Sequence, residues 1–311
     1  MRIKHLRIGT RGSELALRQA ELVRERLVRL HPGLAAELVT VKTKGDIILD
    51  VPLARVGGKG LFVKEIENAL LDGRIDLAVH SMKDVPTSIP PGLVLGCVAS
   101  REDPSDALVS RTGQRLNELP LGARIGTSSL RRQAQLLHFR PDFEVVPLRG
   151  NLQTRLRKME EQGLHAIVLA SVGLRRMGLD HMIAETIPTE ICLPAIGQGV
   201  LSVETRAEDG TVNRAVSSLN DPETATAMKA ERAFLRRLEG GCQVPIAAYA
   251  WPSRGGLEME GMVASLDGKR LIRQRTWGRE QEAEALGLDL AETILSMGGD
   301  RILSEIYDRS P

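Results

Sequence analysis

The chain has 311 residues, of which 42% are hydrophobic and 3% aromatic, and its 42 Lys and Arg side chains nearly balance 40 Asp and Glu. A formal net charge of +2 gives no global field to attract nucleic acid, and few aromatic side chains could stack bases. No apolar stretch approaches the roughly 20 residues of a membrane-spanning helix, so we expect no nucleic-acid partner and no membrane partner.

The cysteines and the length bound the class of protein further. Three cysteines without paired metal-ligand spacing, and no signal-like segment at residues 1–5, predict a reduced, cytoplasmic setting and no metal site. The length exceeds that of one ordinary core and favours two or three domains. Because the formal net charge is only +2, any anion binding must come from local clusters of charge.

The first elements alternate between strand and helix. Residues 7–10 are typical of a strand end, Ser13 of a helix N-cap, and the apolar spacing from Ala16 to Leu30 of one helix face. Further segments then predict, in chain order, a strand at 38–43, a glycine-rich stretch at 56–60, a helix at 62–71 and a strand at 75–79. The last strand places residues 80–84 at its carboxyl end.

The same plan then returns along the chain. Residues 124–127 repeat the pattern of residues 7–10, and residues 161–171 repeat the helix, glycine, strand and serine order of residues 71–81. We infer two similar α/β lobes with mostly parallel sheets, joined near residues 100–104. Ligands usually lie at the carboxyl ends of such strands, which predicts a shared cleft there.

A third, smaller unit follows residue 220. A helical run to about Glu239 precedes alternating strand-like segments and two closing helices. The strands are predicted at 244–250, 257–263 and 271–277, and the helices at 281–297 and 301–307. This pattern indicates an α+β unit with Cys242 near its start.

Arginines stand beside glycine and serine turns in the second lobe. Residues 126–133 place hydroxyls at a helix start with two arginines one turn inside, and residues 148–151 form a second such turn. Helix N-termini and guanidinium groups bind carboxylates and phosphates. Arg176, which follows Ser171 and Gly173, belongs to a third such turn. The alternative is an ordinary serine cap followed by solvated arginines, but three arginine-bearing turns on one lobe favour a pocket.

Asp84 and Cys242 are the candidate reactive groups. A carboxyl at a strand end beside Lys83 could act as an acid or stabilise a cation; alternatively, Asp84 organises the turn before Pro86. Two glycines before Cys242 leave its thiol accessible, although the spacing alone favours a small buried cysteine after a helix end. His80 fits a structural hydrogen bond better than catalysis.

The other cysteines and the glycine-rich stretch suggest supporting roles. Cys97 and Cys192 lie in apolar, strand-like runs and are predicted core residues. Residues 56–60 lack the ending of a phosphate loop and fit a loop that closes over a cleft, with Lys59 and Phe62 as candidate contacts.

Seven strings of residues, in order, resemble the porphobilinogen deaminase (hydroxymethylbilane synthase) family over nearly the whole chain. They are residues 8–11, 57–62, 79–86, 126–132, 148–151, 193–199 and 238–242. Arg18 and Arg55 depart from the commonest family pattern, where an aromatic and a lysine are frequent. Both keep or add positive charge and leave the acid, thiol and arginine positions intact.

The resemblance implies three domains, the first two similar to the lobes of periplasmic solute-binding proteins. Domain 1, with the catalytic Asp, would take residues 1–99 and 200–218. Domain 2, with an arginine-rich anion site, would take residues 100–199. Domain 3, a smaller α+β domain with the attachment cysteine, would take residues 219–311. The fold class is thus α/β with mostly parallel sheets and helices in two lobes.

The resemblance also implies a reaction and a cofactor. The family joins four porphobilinogen molecules head to tail, releases ammonia at each addition, and gives hydroxymethylbilane in tetrapyrrole (haem) biosynthesis. A dipyrromethane cofactor, held by a thioether to Cys242, would prime the chain. Its acetate and propionate groups, and those of the substrate, would need clustered arginines. A monomer that takes the small molecule porphobilinogen as its partner is expected.

Family correspondence then assigns roles to individual residues. Asp84 would assist loss of the substrate amino group, stabilise the azafulvenium cation and help remove the proton after bond formation. The cofactor carboxylates would be held by Ser81, Lys83, Thr127, Ser129, Arg131 and Arg132. The substrate or the growing chain would be bound by Arg11, Ser13, Arg149, Arg155 and Arg176.

Two rival functions fit parts of the sequence. A two-lobed anion-binding or sensor protein without chemistry would explain the lobes and the arginines, but not the full set of strings. Acyl transfer by a cysteine would need a histidine partner, and no histidine lies in a recognisable partner motif for Cys242.

Overall fold

The computed structural model describes residues 3–47, 63–240 and 244–308. Lys59, Phe62 and Cys242, three of the predicted site residues, lie outside these ranges. One compact unit is drawn from Met1–Leu49, Gly58–Glu102 and Gly199–Ala225 (unit 1), and the other includes Asp103–Gln198 and Thr226–Pro311 (unit 2).

The described helices and strands are numbered in chain order. They begin with β1 (His5–Thr10), α1 (Glu14–Leu30), β2 (Ala35–Thr40), α2 (Lys44–Ile47), α3 (Lys64–Leu71), β3 (Leu77–Ser81) and β4 (Leu93–Val98). They continue with β5 (Asp106–Ser110), β6 (Arg124–Gly126), α4 (Leu130–Phe139), β7 (Glu144–Val146), α5 (Leu152–Glu161), β8 (Ala166–Ala170), α6 (Ser171–Arg176) and β9 (Glu185–Ile187). The last are β10 (Leu201–Arg206), α7 (Gly210–Ser217), α8 (Pro222–Arg237), β11 (Ile246–Ser253), β12 (Gly256–Ala264), β13 (Leu271–Gly278), α9 (Ala283–Ile294) and α10 (Asp300–Tyr307).

Unit 1 contains a five-stranded sheet in the order β2-β1-β3-β10-β4. β1 runs parallel to β2 and β3, whereas β10 is antiparallel to β3 and β4. Alternate residues of β1, Leu6 and Ile8, are fully buried in one cluster with Val23 and Leu27 of α1. The helix forms as predicted, because its apolar spacing covers the sheet and Ser13 Oγ accepts the Ala16 amide at 3.3 Å.

Unit 2 repeats this plan in the sheet order β7-β6-β8-β5-β9. β6 is parallel to β7 and β8, and β5 is the antiparallel strand, paired with β8 and β9. Each sheet thus has four strands in one direction and one reversed strand at the fourth place. The predicted α/β fold class, with two similar lobes of mostly parallel strands, is confirmed.

A three-stranded antiparallel sheet, β11-β12-β13, forms a smaller α+β part of unit 2. Phe234 of α8, Met259 of β12 and Leu290 of α9 share its core. Its other face carries Ala247 and Met262, which cluster with Ala134 of α4. The predicted strands and closing helices of this region are therefore present.

Cys192 is buried as predicted, but it lies in a turn and not in a strand-like run. The amides of Ile191 and Cys192 both donate to the carbonyl of Pro188, which curls the backbone out of any sheet. Apolar composition predicted the burial, whereas this local hydrogen bonding decided the conformation. None of the described helices is long and apolar enough to cross a bilayer.

Candidate functional site

The predicted site residues of unit 1 lie at the carboxyl ends of β1 and β3. Because these strands are parallel neighbours, their last residues reach the same edge of the sheet, which brings Arg11 and Ser13 to the edge that holds Ser81. Ser81 Oγ lies 3.1 Å from Nε2 of Gln19, a buried side chain of α1. Ser13 also caps α1, so its hydroxyl has a structural partner.

Asp84 closes a 3-10 turn formed by Met82–Asp84 directly after β3. Met82 and Val85 are buried on either side, and the Val85 amide donates to the Met82 carbonyl at 3.1 Å. Asp84 is half-buried. The backbone hydrogen bond and the two apolar neighbours therefore hold the turn.

His80 has the structural role that the sequence predicts. Its Nε2 lies 3.0 Å from Oε2 of Glu204 on the neighbouring strand β10, and both side chains are buried. This pair sits beneath α3, away from the Ser81 side of the strand, since successive side chains of a strand point to opposite faces.

The predicted site residues of unit 2 lie on or next to the loops after β6, β7 and β8. These neighbouring strands are parallel, so residues 127–129, 148–151 and 171–176 follow strand ends at one edge of the sheet. In the first loop, Thr127 Oγ1 accepts the Ser129 amide at 3.2 Å, and Ser129 Oγ caps α4 by accepting the Arg132 amide at 3.4 Å.

Arg131 and Arg132 are buried, each about 5% exposed, and both pair with Asp106. Arg131 Nη1 lies 2.8 Å from Asp106 Oδ2, and Arg132 Nη2 lies 2.7 Å from Asp106 Oδ1. The alternative of solvated arginines after a serine cap is therefore wrong. Burial alone would raise the pKa of Asp106, but the charges of the two arginines outweigh burial and hold its pKa well below the usual range.

The second loop carries Arg149, and side chains of α5 hold its backbone through hydrogen bonds. Gly150 has φ +123°, and a Cβ there would lie 2.5 Å from Thr154, so only glycine fits. The Gly150 carbonyl accepts Nε of Arg155 at 2.8 Å, and the Arg149 carbonyl accepts Nζ of Lys158 at 3.2 Å. Arg149 Nη1 is a buried atom without a hydrogen-bond partner among the described residues.

Arg176 is the last residue of α6, which begins directly at the end of β8. The side chain is half-buried, and a short helix from a strand end places it in the third loop of the same edge. The structure thus brings Thr127, Ser129, Arg149, Arg155 and Arg176 to one edge of one sheet.

Four residues that contact or lie among the predicted site residues were not predicted. Gln19 contacts Ser81, Asp106 holds two arginines, Lys158 supports the second loop, and Ser128 Oγ is buried without a partner among the described residues. Lys158 follows Arg155 at helical spacing and could have been found that way. Asp106 had no such signal, because the reversed strand β5 brings it to the arginines from a distant part of the sequence.

The described flanks of Cys242 are firmly anchored. Helix α8 ends at Arg237, and Glu239 adopts φ +53°. A Cβ on Gly240 would lie 2.7 Å from both Leu235 and Ile246, and the Tyr307 hydroxyl donates to the Glu239 carbonyl at 3.1 Å. Residues 241–243 lie outside the described residues.

The other two thiols are poor nucleophiles. Burial raises the pKa of the Cys97 thiol to about 12, and burial together with the neighbouring Asp106 charge raises the pKa of Cys192 to about 12. Because the thiolate is the reactive form, neither is suited to covalent attachment of a ligand at neutral pH.

Guanidinium groups and hydroxyls at the carboxyl edge of an α/β sheet are typical of proteins that bind polycarboxylate ligands. The family models narrow this class. Residues 6–214 match the model described as "Porphobilinogen deaminase, dipyromethane cofactor binding domain", and residues 225–296 match "Porphobilinogen deaminase, C-terminal domain".

Curated relatives cover the chain almost end to end. The protein named porphobilinogen deaminase from Syntrophotalea carbinolica is 59% identical over 301 residues, which are 97% of this chain and 96% of that protein. Proteins of the same name from Moorella thermoacetica and Geobacter metallireducens are 56% and 55% identical, over 98% of this chain and 97% and 96% of theirs. The chain belongs to the porphobilinogen deaminase family, a family of enzymes with a dipyrromethane cofactor.

Solved structures of low identity also match. The methionine-binding protein MetQ is 15% identical, with a TM-score of 0.44 and coverage of 70% of this chain and 89% of that one. The VFT2 domain of BvgS from Bordetella pertussis is 17% identical, with a TM-score of 0.39 and coverage of 72% and 91%.

Proposed function

We propose that this chain is a transferase that joins four porphobilinogen molecules head to tail and gives hydroxymethylbilane in tetrapyrrole biosynthesis. The observation that carries the proposal is the match of residues 6–214 to the family's cofactor-binding domain, which includes Asp84 and every proposed arginine ligand. The half-buried carboxyl group of Asp84 and the arginine loops of unit 2 supply the groups that this reaction needs.

The loops of unit 2 fit the carboxylate groups of a dipyrromethane. Arg149 Nη1 and Ser128 Oγ are buried donors that have no partner among the described residues, and such groups are costly unless a ligand or water satisfies them. Acetate and propionate oxygens accept from such donors. We assign Thr127, Ser129, Arg131 and Arg132, with Ser81 and Lys83 of unit 1, to these carboxylates.

Cys242 is the proposed attachment residue. Cys97 and Cys192 are buried thiols with raised pKa values, which leaves the cysteine after the Glu239–Gly240 turn as the candidate for the thioether. The chemistry that the cofactor supplies when bound is a nucleophilic pyrrole carbon that accepts the first substrate.

Asp84 is the proposed catalytic carboxylate. In each addition the C–N bond of the substrate aminomethyl group breaks, ammonia leaves, a C–C bond forms, and the attacked pyrrole carbon loses a proton. A half-buried carboxyl group in its acid form can protonate the leaving amine. The carboxylate that results can stabilise the cation that remains on the substrate and then take the proton that the attacked pyrrole carbon loses, which restores the acid. No other residue is assigned these three steps.

The remaining assignments follow the family correspondence. Arg11, Ser13, Arg149, Arg155 and Arg176 bind the carboxylates of substrate and growing chain, with Lys59 and Phe62 as loop contacts. We propose domain boundaries of 1–99 with 200–218, 100–199 and 219–311, which three separate sheets support. A cytoplasmic monomer without a nucleic-acid partner is part of the same proposal.

Asp84→Asn tests the catalytic role. The variant keeps the turn, because backbone atoms and buried neighbours hold it, but it cannot transfer a proton. We expect the purified variant to carry the dipyrrole mass while steady-state formation of hydroxymethylbilane falls by roughly 10²-fold or more.

Asp72→Asn is the matched control, since Asp72 is an exposed residue of the same unit that pairs with Arg74 at 3.4 Å. It should keep full activity. An Asp84→Asn enzyme with unimpaired product formation rules out the catalytic role of this carboxylate.

A further inference from the structure

Asp106 is an entirely buried carboxylate at the first position of β5, and donors surround it. Oδ1 accepts Nε and Nη2 of Arg132, at 3.1 and 2.7 Å, and Nε2 of Gln198 at 2.9 Å. Oδ2 accepts the Cys192 thiol at 3.2 Å and lies 2.8 Å from Arg131 Nη1. One carboxylate thus fixes two guanidinium groups at once.

The strand pairing places this carboxylate at the ligand edge of the sheet. β5 runs opposite to its neighbours, so its first residue pairs with Ala170, the last residue of β8. Asp106 therefore lies at the same edge of the sheet as the loops that follow β6 and β8, where it contacts Arg131 and Arg132.

The two arginines are held differently. Arg132 uses all three of its nitrogens, because Nη1 also donates to the Val168 carbonyl at 2.9 Å. Arg131 makes its contacts with Cys192, Leu193 and Asp106 through Nη1. Among the described residues, none accepts a hydrogen bond from Nε or Nη2 of Arg131. The contacts of Nη1 therefore fix the guanidinium, while its Nε and Nη2 edge remains able to donate to a ligand.

We propose that Asp106 is a positioning residue that orients Arg131, through Nη1, so that its Nε and Nη2 edge receives a carboxylate of the bound pyrrole chain. The inference rests on the proposed function, since Arg131 is one of the residues proposed to bind the cofactor and Asp106 would orient it. Arg132 completes the support by occupying Oδ1, and it leaves the cluster with one net positive charge. That charge favours an anionic ligand, and the fixed orientation gives a bidentate carboxylate contact.

Positioning and simple electrostatics make opposite predictions. Removing the negative charge of Asp106 makes the cluster more positive, which by charge alone strengthens binding of a polycarboxylate. Removing the group that orients Arg131 weakens binding, because the guanidinium must then be ordered by the ligand itself. A neutral, isosteric substitution separates the two.

The experiment measures cofactor loading and not turnover. Apo chain, produced in a host that makes no porphobilinogen, is incubated with graded porphobilinogen, and the dipyrrole adduct is quantified by intact mass. We expect Asp106→Asn to raise the porphobilinogen concentration for half-loading about tenfold, the effect of losing a charge-assisted contact, with the same final extent. Glu231→Gln, which alters another fully buried carboxylate of unit 2, is the control and should load normally.

A second pair of variants decides the matter if Asp106→Asn does not fold. Arg132→Gln alone is compared with Arg132→Gln combined with Asp106→Asn; the double variant carries the same net charge as the wild-type cluster. Positioning predicts that the double variant loads more weakly than Arg132→Gln, although it is more positive. Equal or tighter loading by folded Asp106→Asn, or by the double variant, overturns the inference. A wild-type chain that never loads overturns the proposed function, and this inference with it.

Discussion

Glu67 is a buried carboxyl group that lowers the stability of the folded protein at neutral pH. It lies on α3, next to the His80–Glu204 pair, and is about 9% exposed. Burial, and next the charge of Glu204, raise the pKa of Glu67 above its usual 4.5, while His80 and Lys64 act in the opposite direction. At neutral pH the folded protein therefore holds this carboxylate at a cost in stability.

Glu67→Gln should consequently stabilise the protein. We expect its melting temperature to exceed that of wild type at pH 7.5. The difference should shrink as pH falls through the raised pKa and should disappear below 4.5, where wild-type Glu67 is protonated in both the folded and the unfolded state. Thermal unfolding at a series of pH values checks this. Glu161→Gln, at an exposed position of α5, is the control; a difference that is constant with pH contradicts the account.

At the scale of elements, α8 and α9 approach closely through Gly287. A Cβ at that position would lie 2.1 Å from the Ala230 carbonyl oxygen and 3.1 Å from the Ala233 Cβ. Alanine gains about 1 kcal/mol of helix propensity over glycine, but a backbone carbonyl cannot yield as a flexible side chain can. The clash should therefore outweigh the gain.

Gly287→Ala should lower the free energy of unfolding by about 2 kcal/mol, measured by urea denaturation. Gly210→Ala in α7 is the control, because the nearest atom to its added Cβ is 3.5 Å away at the end of the Arg214 side chain. The control should leave stability unchanged or slightly raised. A Gly287→Ala protein as stable as wild type shows that the two helices can separate without loss.

The elements were the most predictable part of the molecule. The cap at Ser13, the stripe of α1 and the strand that ends at Ser81 follow from local spacing, which the described backbone matches within a few residues. The Cys192 turn was not predicted, although the hydrogen bonds that form it are local: the amides of Ile191 and Cys192 both donate to the Pro188 carbonyl. The apolar run from Ile191 to Leu193 favoured a strand instead.

For the whole molecule, the repeated sequence pattern predicted two lobes of the same design, and the two five-stranded sheets share one strand order with one reversed strand. Asp106 could not be predicted, because its meeting with Arg131 and Arg132 depends on how β5 inserts beside β8. The arginine-bearing loops were predictable as a set. The buried carboxylate of Asp106, which Arg131 and Arg132 share, was not predictable.

For the whole molecule, we propose that a dipyrrole primer is attached at Cys242. Two of the three cysteines are buried with raised pKa values, which makes attachment at any other cysteine unfavourable.

Intact-mass measurement followed by peptide mapping tests attachment at Cys242. We expect wild-type chain supplied with porphobilinogen to gain the mass of two condensed pyrrole units, and we expect the added mass to map to the peptide that contains Cys242. The Cys242→Ser variant should gain no such mass. A wild-type chain without the adduct, or an adduct that persists in Cys242→Ser, would refute attachment at this cysteine.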